Sequence, residues 1–273
     1  MAYGSPLYIL SLLSVFGITA ALFFLLRRRS ERCQRTVIFV LMLVNTAQHF
    51  AKSWIYPQHR GEGFTIVSTA YNMCAVLIIF LPLVLLLKSR FLKNFFFYVG
   101  AIAGVLAIAV PFWFIGKPAE ELGWEYVRFY LCHVLLHTTA VLPLLLGLHK
   151  PSYKEFWQVG LCFLAVLCLI LLNNVIFISL GLCPGADPND LYTAMLVHGP
   201  CAMMGPPESM PWLGELAKWF TLPVFVGANP TGRYAPILWY AVPLYLGVSM
   251  IAFAIFAVAD RKQLLHDLRN NTH

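Results

Sequence analysis

Seven long apolar runs, separated by polar breaks, constrain this chain more than any other feature of its sequence. A helix needs about 20 apolar residues to cross the roughly 30 Å hydrocarbon core of a bilayer. The sequence has no strand-type alternation, and backbone groups in lipid must pair within their own segment, which favours helices. We therefore predict an all-α polytopic membrane protein, a bundle of seven transmembrane helices. The runs lie at residues 6–26, 37–56, 65–87, 94–116, 126–148, 156–181 and 236–259.

Composition agrees with this class of protein. Apolar residues make up 60% of the 273 residues and charged residues 11%, whereas soluble domains carry about 25% charged residues. This excludes a soluble enzyme, a disordered tail and a secreted disulfide scaffold. We predict one seven-helix transmembrane domain over residues 1–273, with a long extracytoplasmic loop at 182–235. The loop is either a lid at the membrane interface or a poorly ordered insertion.

The net charge of +7 bears on membrane orientation rather than on nucleic-acid binding, and we expect no nucleic-acid partner. Of the 19 Lys and Arg residues, 13 lie in the first, third and fifth loops and in the C-terminal tail. Cytoplasmic segments carry such an excess. The sequence therefore predicts an extracytoplasmic or lumenal N-terminus and a cytoplasmic C-terminus.

The seven cysteines include no CxxC pair and no zinc-type spacing, so a structural metal knuckle is not expected. Cys183 and Cys201 share the long loop. They could form a disulfide if that loop faces an oxidising compartment, or both could remain thiols.

Polar residues within the spans are the candidates for function, because placing them in a bilayer is costly and they usually face the bundle interior. At 1.5 Å of helical rise per residue, several of them lie about 10–16 Å below the outer boundary. Four different helices would thus bring polar groups to one level. These candidates are His49, Asn72, Cys74, His133, His137, Asn173 and Asn174.

Two chemistries fit a cysteine and several histidines in such a cavity. In acyl transfer, a thiolate generated by an imidazole attacks a lipid ester and forms a thioester, and asparagine side chains can stabilise the oxyanion. In metal or haem ligation, His49, His133 and His137 would be the ligands. A non-catalytic lipid-binding or receptor role would leave the polar residues as interhelical contacts.

Four stretches of the chain resemble the YwaF-like integral membrane family, whose eukaryotic branch contains the transmembrane acyltransferase that remodels ether phospholipids. These stretches lie in the third, fifth, sixth and seventh spans. They read YNMCAVLIIFLPLVLLLKSR, RFYLCHVLLHTTAVLPLLLGLHKPSYKEF, LLNNVIFISLGLCP and YAPILWYAVPLYL.

The resemblance implies a seven-helix lipid acyltransferase, or a related lipid-ester hydrolase, acting on membrane phospholipids and fatty acyl chains. Its nucleophilic cysteine matches Cys74 and its catalytic histidine matches His133. In this hypothesis His137 or His49 orients the base or relays its proton, and the three asparagines at positions 72, 173 and 174 are candidate oxyanion or headgroup donors. The mechanism needs no cofactor and no metal.

Overall fold

The computed structural model describes residues 3–52, 66–111, 116, 123–198, 204–206 and 211–270. Within these ranges the chain is helical and contains no β-strand; one isolated bridge joins Val226 and Tyr234. Ten α-helices are present in the described residues: α1 Pro6–Leu26, α2 Glu31–Phe50, α3 Met73–Leu86, α4 Arg90–Ala109, α5 Gly123–Leu145, α6 Trp157–Ser179, α7 Leu191–His198, α8 Pro211–Lys218, α9 Ala241–Ala259 and α10 Arg261–Asn270.

Six segments of the described chain are long and apolar enough to cross a membrane, which confirms the membrane class. They are Pro6–Leu26, Ile66–Leu86, Arg90–Ala109, Gly123–Leu145, Tyr153–Ser179 and Ala241–Ala259. The seventh predicted span, 37–56, falls largely on α2. That helix begins in the polar stretch at Glu31, and residues 53–56 lie outside the described part of the chain, so the count of seven is approximate.

Serine caps start three of these helices. The side chains of Ser5, Ser30 and Ser89 each accept a hydrogen bond from a backbone N–H three residues further on. Such a cap satisfies one of the backbone donors that a helix N-terminus leaves unpaired. Each of these helices therefore has a defined beginning, and α2 and α4 begin several residues before the apolar runs at 37–56 and 94–116.

The chain divides into two compact units. The first contains α1, α2, the part of α3 from Leu77, α4 and α5; the second contains residues up to Val76 in the Ile66–Leu86 segment, together with α6 to α10. In the first unit α5 contacts α1, α2 and α4 and is buried from Cys132 to Ala140. A helix segment that is buried on every residue is covered on all sides by its neighbours. In this part, α5 is therefore the central helix of the first unit.

In the second unit α6 packs against α9 and α7. A Cβ at Gly160 would meet the Ser249 hydroxyl and the Tyr245 backbone, so the absence of a side chain allows α6 and α9 to approach closely. The long loop contributes α7 and α8, and Ala194 and Met195 of α7 pack in one buried cluster with Ile178 of α6. This part of the loop therefore packs against the membrane helix α6.

The third predicted span is not one continuous helix. A short 3-10 turn covers Ile66–Ser68, residues 69–72 are not helical, and α3 begins only at Met73. The prediction of a helix over 65–87 is wrong at this point. The depth of Cys74 in the membrane therefore cannot be counted along an unbroken helix that begins at residue 65.

Candidate functional site

In the second unit, Cys74 lies in the first turn of α3. The Asn72 side-chain oxygen accepts a hydrogen bond from the Ala75 N–H at 2.8 Å, and the Asn72 carbonyl accepts one from Val76 N at 3.0 Å. Asn72 is thus the N-cap of α3. The positive end of a helix dipole favours an anion placed beside it, and the half-buried Cys74 occupies such a position.

Both asparagines of α6 contact the non-helical segment that precedes α3. Asn173 Nδ2 donates to Thr69 Oγ1 at 2.9 Å, and Asn174 Nδ2 donates to the Tyr71 carbonyl at 3.5 Å. Asn174 is 4% exposed. A backbone carbonyl outside a helix needs another donor in a membrane interior, so the Asn173–Asn174 pair supports the segment that carries Asn72 and Cys74.

In the first unit, His133 and His137 lie one turn apart on α5 and both are buried. His133 Nδ1 is 2.7 Å from the Phe129 carbonyl oxygen, and His137 Nδ1 is 2.8 Å from the Ala101 carbonyl oxygen. A carbonyl can only accept, so each Nδ1 carries the proton. In the neutral ring the lone pair then lies on Nε2, which is the nitrogen able to act as a base.

Gly104 of α4 allows the backbones of α4 and α5 to meet at these histidines. A Cβ at Gly104 would lie 2.7 Å from the His133 carbonyl oxygen and 2.7 Å from His137 Cβ. One turn earlier, a Cβ at Gly100 would lie 3.0 Å from Ala140 Cβ. The two glycines therefore allow close packing of α4 against α5.

His49 lies on a buried polar face of α2 in the same unit and is 2% exposed. Asn45, one turn before it, donates from Nδ2 to the Cys132 carbonyl at 3.0 Å and accepts from Gln48 Nε2 at 2.5 Å. The polar face of α2 is therefore fixed against α5 beside His133.

The structure thus gathers the predicted residues into two groups. His49, His133 and His137 belong to the first unit, whereas Asn72, Cys74, Asn173 and Asn174 belong to the second. The partnership of Cys74 with His133 joins residues of different units and stays a prediction. Within the described residues, no group of three His, Cys, Asp or Glu side chains is placed to hold a metal ion. The three imidazoles offered as ligands do not form such a group.

Sequence reasoning missed several residues around these groups. The Thr69 hydroxyl accepts a hydrogen bond from Asn173. Gly104 allows α4 to pack closely against α5 at His133 and His137. Lys52, which is 5% exposed, is a buried cation inside the predicted span 37–56, but it is not among the candidate residues named from the sequence. Lys52 follows Asn45 by seven positions and so lies on the same face of a continuous helix. This spacing could have indicated that Lys52 faces the other helices rather than solvent.

Cys201 lies outside the described residues, so the pairing of Cys183 with Cys201 stays a prediction. Cys183 itself is buried against α6 and α7. Burial raises the pKa of the Cys183 thiol, because an apolar environment disfavours the thiolate.

The helices and their polar groups define a multi-pass helical membrane protein with buried polar residues in each of its two units. The chain belongs to the TMEM164 family, whose family model matches residues 2–222. This match confirms the resemblance seen in the sequence, because TMEM164 is the transmembrane acyltransferase family of ether-lipid remodelling. No curated protein and no solved structure matches the chain.

Proposed function

We propose that this protein is a membrane-embedded acyltransferase that moves a fatty acyl group between phospholipids, with Cys74 as nucleophile and His133 as general base. The observation that carries the proposal is the family match over residues 2–222, which includes both residues. The same chemistry with water as acceptor would be lipid-ester hydrolysis. No metal or cofactor takes part in the proposed steps.

The first step transfers the acyl group to the enzyme. His133 takes the proton of the Cys74 thiol, and the sulfur attacks the ester carbonyl carbon of the donor lipid. The tetrahedral intermediate collapses by breaking the carbon–oxygen bond, and the protonated imidazole returns its proton to the leaving alkoxide. The products are a thioester on Cys74 and a lysophospholipid. The position of Cys74 in the first turn of α3 supports this role, because a helix N-terminus favours a thiolate.

The second step reverses the roles. The hydroxyl of an acceptor lysophospholipid gives its proton to His133, attacks the thioester carbonyl and displaces the Cys74 thiolate, which is then reprotonated. The bond from His133 Nδ1 to the Phe129 carbonyl supports the assignment of His133 as base, because it leaves the Nε2 lone pair available.

The remaining candidates have supporting roles. His137 is held in the same tautomer by Ala101 and is a proton relay or a positioning group, as is His49. The Asn72 amide has one contact within the second unit, with the Ala75 N–H. Asn173 and Asn174 each have two, since Asn173 Nδ2 donates to Asn174 Oδ1 as well as to Thr69, and Asn174 Nδ2 donates to the Tyr71 carbonyl. An asparagine N–H that remains available could still donate to an oxyanion or a headgroup.

For orientation we propose an extracytoplasmic or lumenal N-terminus and a cytoplasmic C-terminus. The excess of Lys and Arg in alternate loops supports this orientation. Three of the cations in this excess, Arg261, Lys262 and Arg269, lie exposed on the C-terminal helix α10.

The test is acyl exchange by the purified protein, combined with intact-mass spectrometry after incubation with phospholipid. Wild type should gain one acyl mass on Cys74. Cys74→Ala and Cys74→Ser should lose both the adduct and the exchange, and His133→Ala should slow exchange by about 10²–10⁴-fold. Matched controls are Cys168→Ala and His266→Ala, which change an exposed cysteine and an exposed histidine. Full exchange by folded Cys74→Ala would rule out the covalent mechanism, and lipid retention without any exchange would favour a binding protein.

A further inference from the structure

The short helix α8 and the residues just after it expose large apolar side chains on one face. Trp219 is 85% exposed, Trp212 61% and Leu216 47%. At about 100° of rotation per residue, these three positions lie within about 60° of one another. Phe220 and Leu222 are exposed as well and extend the apolar surface beyond the end of the helix. The proposed acyl-transfer steps give this surface no role.

The other two sides of α8 have different surroundings. Gly214 and Ala217, on the side opposite the apolar face, are buried, and a Cβ at Gly214 would meet the Pro206 ring. Glu215 and Lys218 lie between these two sides and form an exposed ion pair. The helix therefore has one side on the protein, one charged side suited to water and one apolar side that points away from the protein. Helices that lie in the plane of a membrane interface have such a Trp- and Leu-rich face beside a charged one.

A hydrogen bond fixes the end of α8 near the point where α9 enters the membrane. The Thr221 hydroxyl donates to the Trp239 carbonyl oxygen at 2.6 Å and also lies 2.9 Å from the Ala217 carbonyl oxygen. Trp239 precedes the membrane span Ala241–Ala259 by two positions, and two residues of chain reach at most about 7 Å. Trp219, two residues before Thr221, is therefore within reach of the bilayer surface.

The residues of this face favour lipid as its occupant. Tryptophan is enriched at membrane interfaces, where its ring lies among apolar groups and its N–H reaches headgroups or water. The charged residues of α8 are Glu215 and Lys218, which pair with each other, so opposite charges do not direct the face to a protein partner. Leu238 and Val242, at the start of α9, are also exposed. The contact between Thr221 and Trp239 thus joins the apolar face of α8 to the lipid-facing surface of a membrane span.

We propose that α8 and the residues that follow it to Leu222 dock on the membrane surface. Trp212, Leu216 and Trp219 insert about 5–10 Å into the boundary between headgroups and acyl chains, and the Glu215–Lys218 pair stays in water. The occupant of the apolar face is phospholipid, and uncharged phosphatidylcholine is sufficient. This inference is independent of the proposed acyl transfer. It makes the long loop an element anchored to the bilayer between α6 and α9.

The experiment identifies what contacts this face in a bilayer. The photoreactive residue p-benzoylphenylalanine replaces Trp212, Leu216 or Trp219, one at a time, in the full-length protein. Each variant is reconstituted into phosphatidylcholine vesicles and irradiated, and intact-mass spectrometry separates a lipid adduct from a cross-linked protein dimer. Lys218→p-benzoylphenylalanine is the matched control, because position 218 is on the charged side of the same helix.

We expect a lipid adduct as the main product at all three apolar positions. Its yield should be about tenfold above that at position 218, the ratio that a preference of about 1.4 kcal/mol for the acyl region gives. High salt should leave the yield unchanged, because apolar contacts are not screened. A cross-linked dimer as main product would overturn the proposal in favour of a second copy of the chain. Equal lipid yields at positions 218 and 219, or no adduct at the apolar positions, would also overturn it.

The fluorescence of the natural tryptophan gives a second readout. Trp219→Tyr removes one exposed indole, so the difference between wild type and variant reports on Trp219. In vesicles of brominated phosphatidylcholine, bromines near the headgroup end of the acyl chains should quench this difference signal more than bromines near the methyl end. Aqueous iodide should quench it weakly. Strong quenching by iodide without quenching by bromine would overturn the docking even if the benzoylphenylalanine variants fold poorly.

Discussion

The side-chain oxygen of Asn72 accepts a hydrogen bond from the Ala75 N–H at 2.8 Å, so α3 begins immediately before Cys74. An apolar run that could cross a bilayer as one helix is instead interrupted by residues 69–72. Broken membrane helices of this kind present backbone N–H groups to a substrate in the membrane. The interruption is what places a cysteine in the first turn of a helix.

The first prediction concerns this cap. Asn72→Ala should destabilise the protein by about 1 kcal/mol, the usual cost of losing an N-cap. Asn72→Asp and Asn72→Ser retain a side-chain acceptor and should stay near wild type. Thermal unfolding of the three variants in the same detergent checks this. Equal melting temperatures for Asn72→Ala and Asn72→Ser would contradict a capping role.

The second prediction concerns the Asn173–Thr69 hydrogen bond. In a double-mutant cycle, Asn173→Ala and Thr69→Val should show a coupling free energy of about 0.6 kcal/mol, the average for interhelical hydrogen bonds in a membrane protein. Reversible unfolding in detergent gives the four stabilities. The matched control pairs Thr69→Val with Asn189→Ala, because Asn189 contacts Asp187 in an exposed loop. The control pair should be additive, and zero coupling between Asn173 and Thr69 would refute the contact.

The third prediction concerns the contact of α4 with α5. Gly104→Ala should destabilise the protein by about 1–3 kcal/mol, because the new methyl group overlaps the His137 backbone N at 2.7 Å and overpacking costs that much. Gly17→Ala and Gly247→Ala are matched controls. Both are glycines of membrane helices with nothing within 4 Å of the added Cβ. They should be neutral or stabilising, since alanine is the better helix former. A melting temperature for Gly104→Ala at or above those of the controls would refute the close approach.

The fourth prediction is a pH dependence at the C-terminal helix. The Lys154 ammonium and the Tyr153 hydroxyl, each 2.6 Å from Asp267 Oδ2, hold the pKa of that carboxyl below its usual value of 3.8. A carboxyl with a lowered folded-state pKa stabilises the fold above its unfolded pKa. The contribution is therefore complete well above pH 3.8 and is lost as the pH falls through the folded pKa.

Hydrogen exchange of α10 in wild type and Asp267→Asn tests this prediction. At pH 7 the variant should exchange faster over residues 261–270, and the difference should shrink as the pH falls below 3.8. High salt should also reduce it, because the Lys154 side chain of this ion pair is solvent-exposed. Glu215→Gln, which removes an exposed ion pair with Lys218, is the control and should not change exchange in α10. An α10 difference that persisted undiminished at low pH would exclude Asp267 as its cause.

Much of the fold could be predicted because the length of an apolar run is a direct requirement of the bilayer. The starts of α1, α2 and α4 also follow from local sequence, since a serine stands at each N-cap. The break at 69–72 could not be read in this way. Thr69, Ala70 and Tyr71 include no glycine or proline, and the segment is held open by asparagines about 100 residues later in the chain.

The candidate residues were predictable as a set because polar groups are rare in membrane spans. Their partners were not. His133 bonds to a carbonyl of its own helix, whereas His137 bonds to Ala101 on α4, and nothing in the residue types distinguishes the two. The burial of Lys52 could not be predicted, because a cation at the end of a span ordinarily reaches water.

The interruption before α3 also has a consequence for biosynthesis. The 14-residue α3 is about 21 Å long, too short to cross the bilayer alone, and the preceding turn gains its partners only when α6 has been made. Thr69 and Asn173 are 104 residues apart, so the ribosome must finish the sixth span before the third can be completed. Until then the Tyr71 carbonyl lacks its Asn174 donor, and the Thr69 hydroxyl lacks its Asn173 donor. This region is therefore among the last parts of the nascent chain to mature.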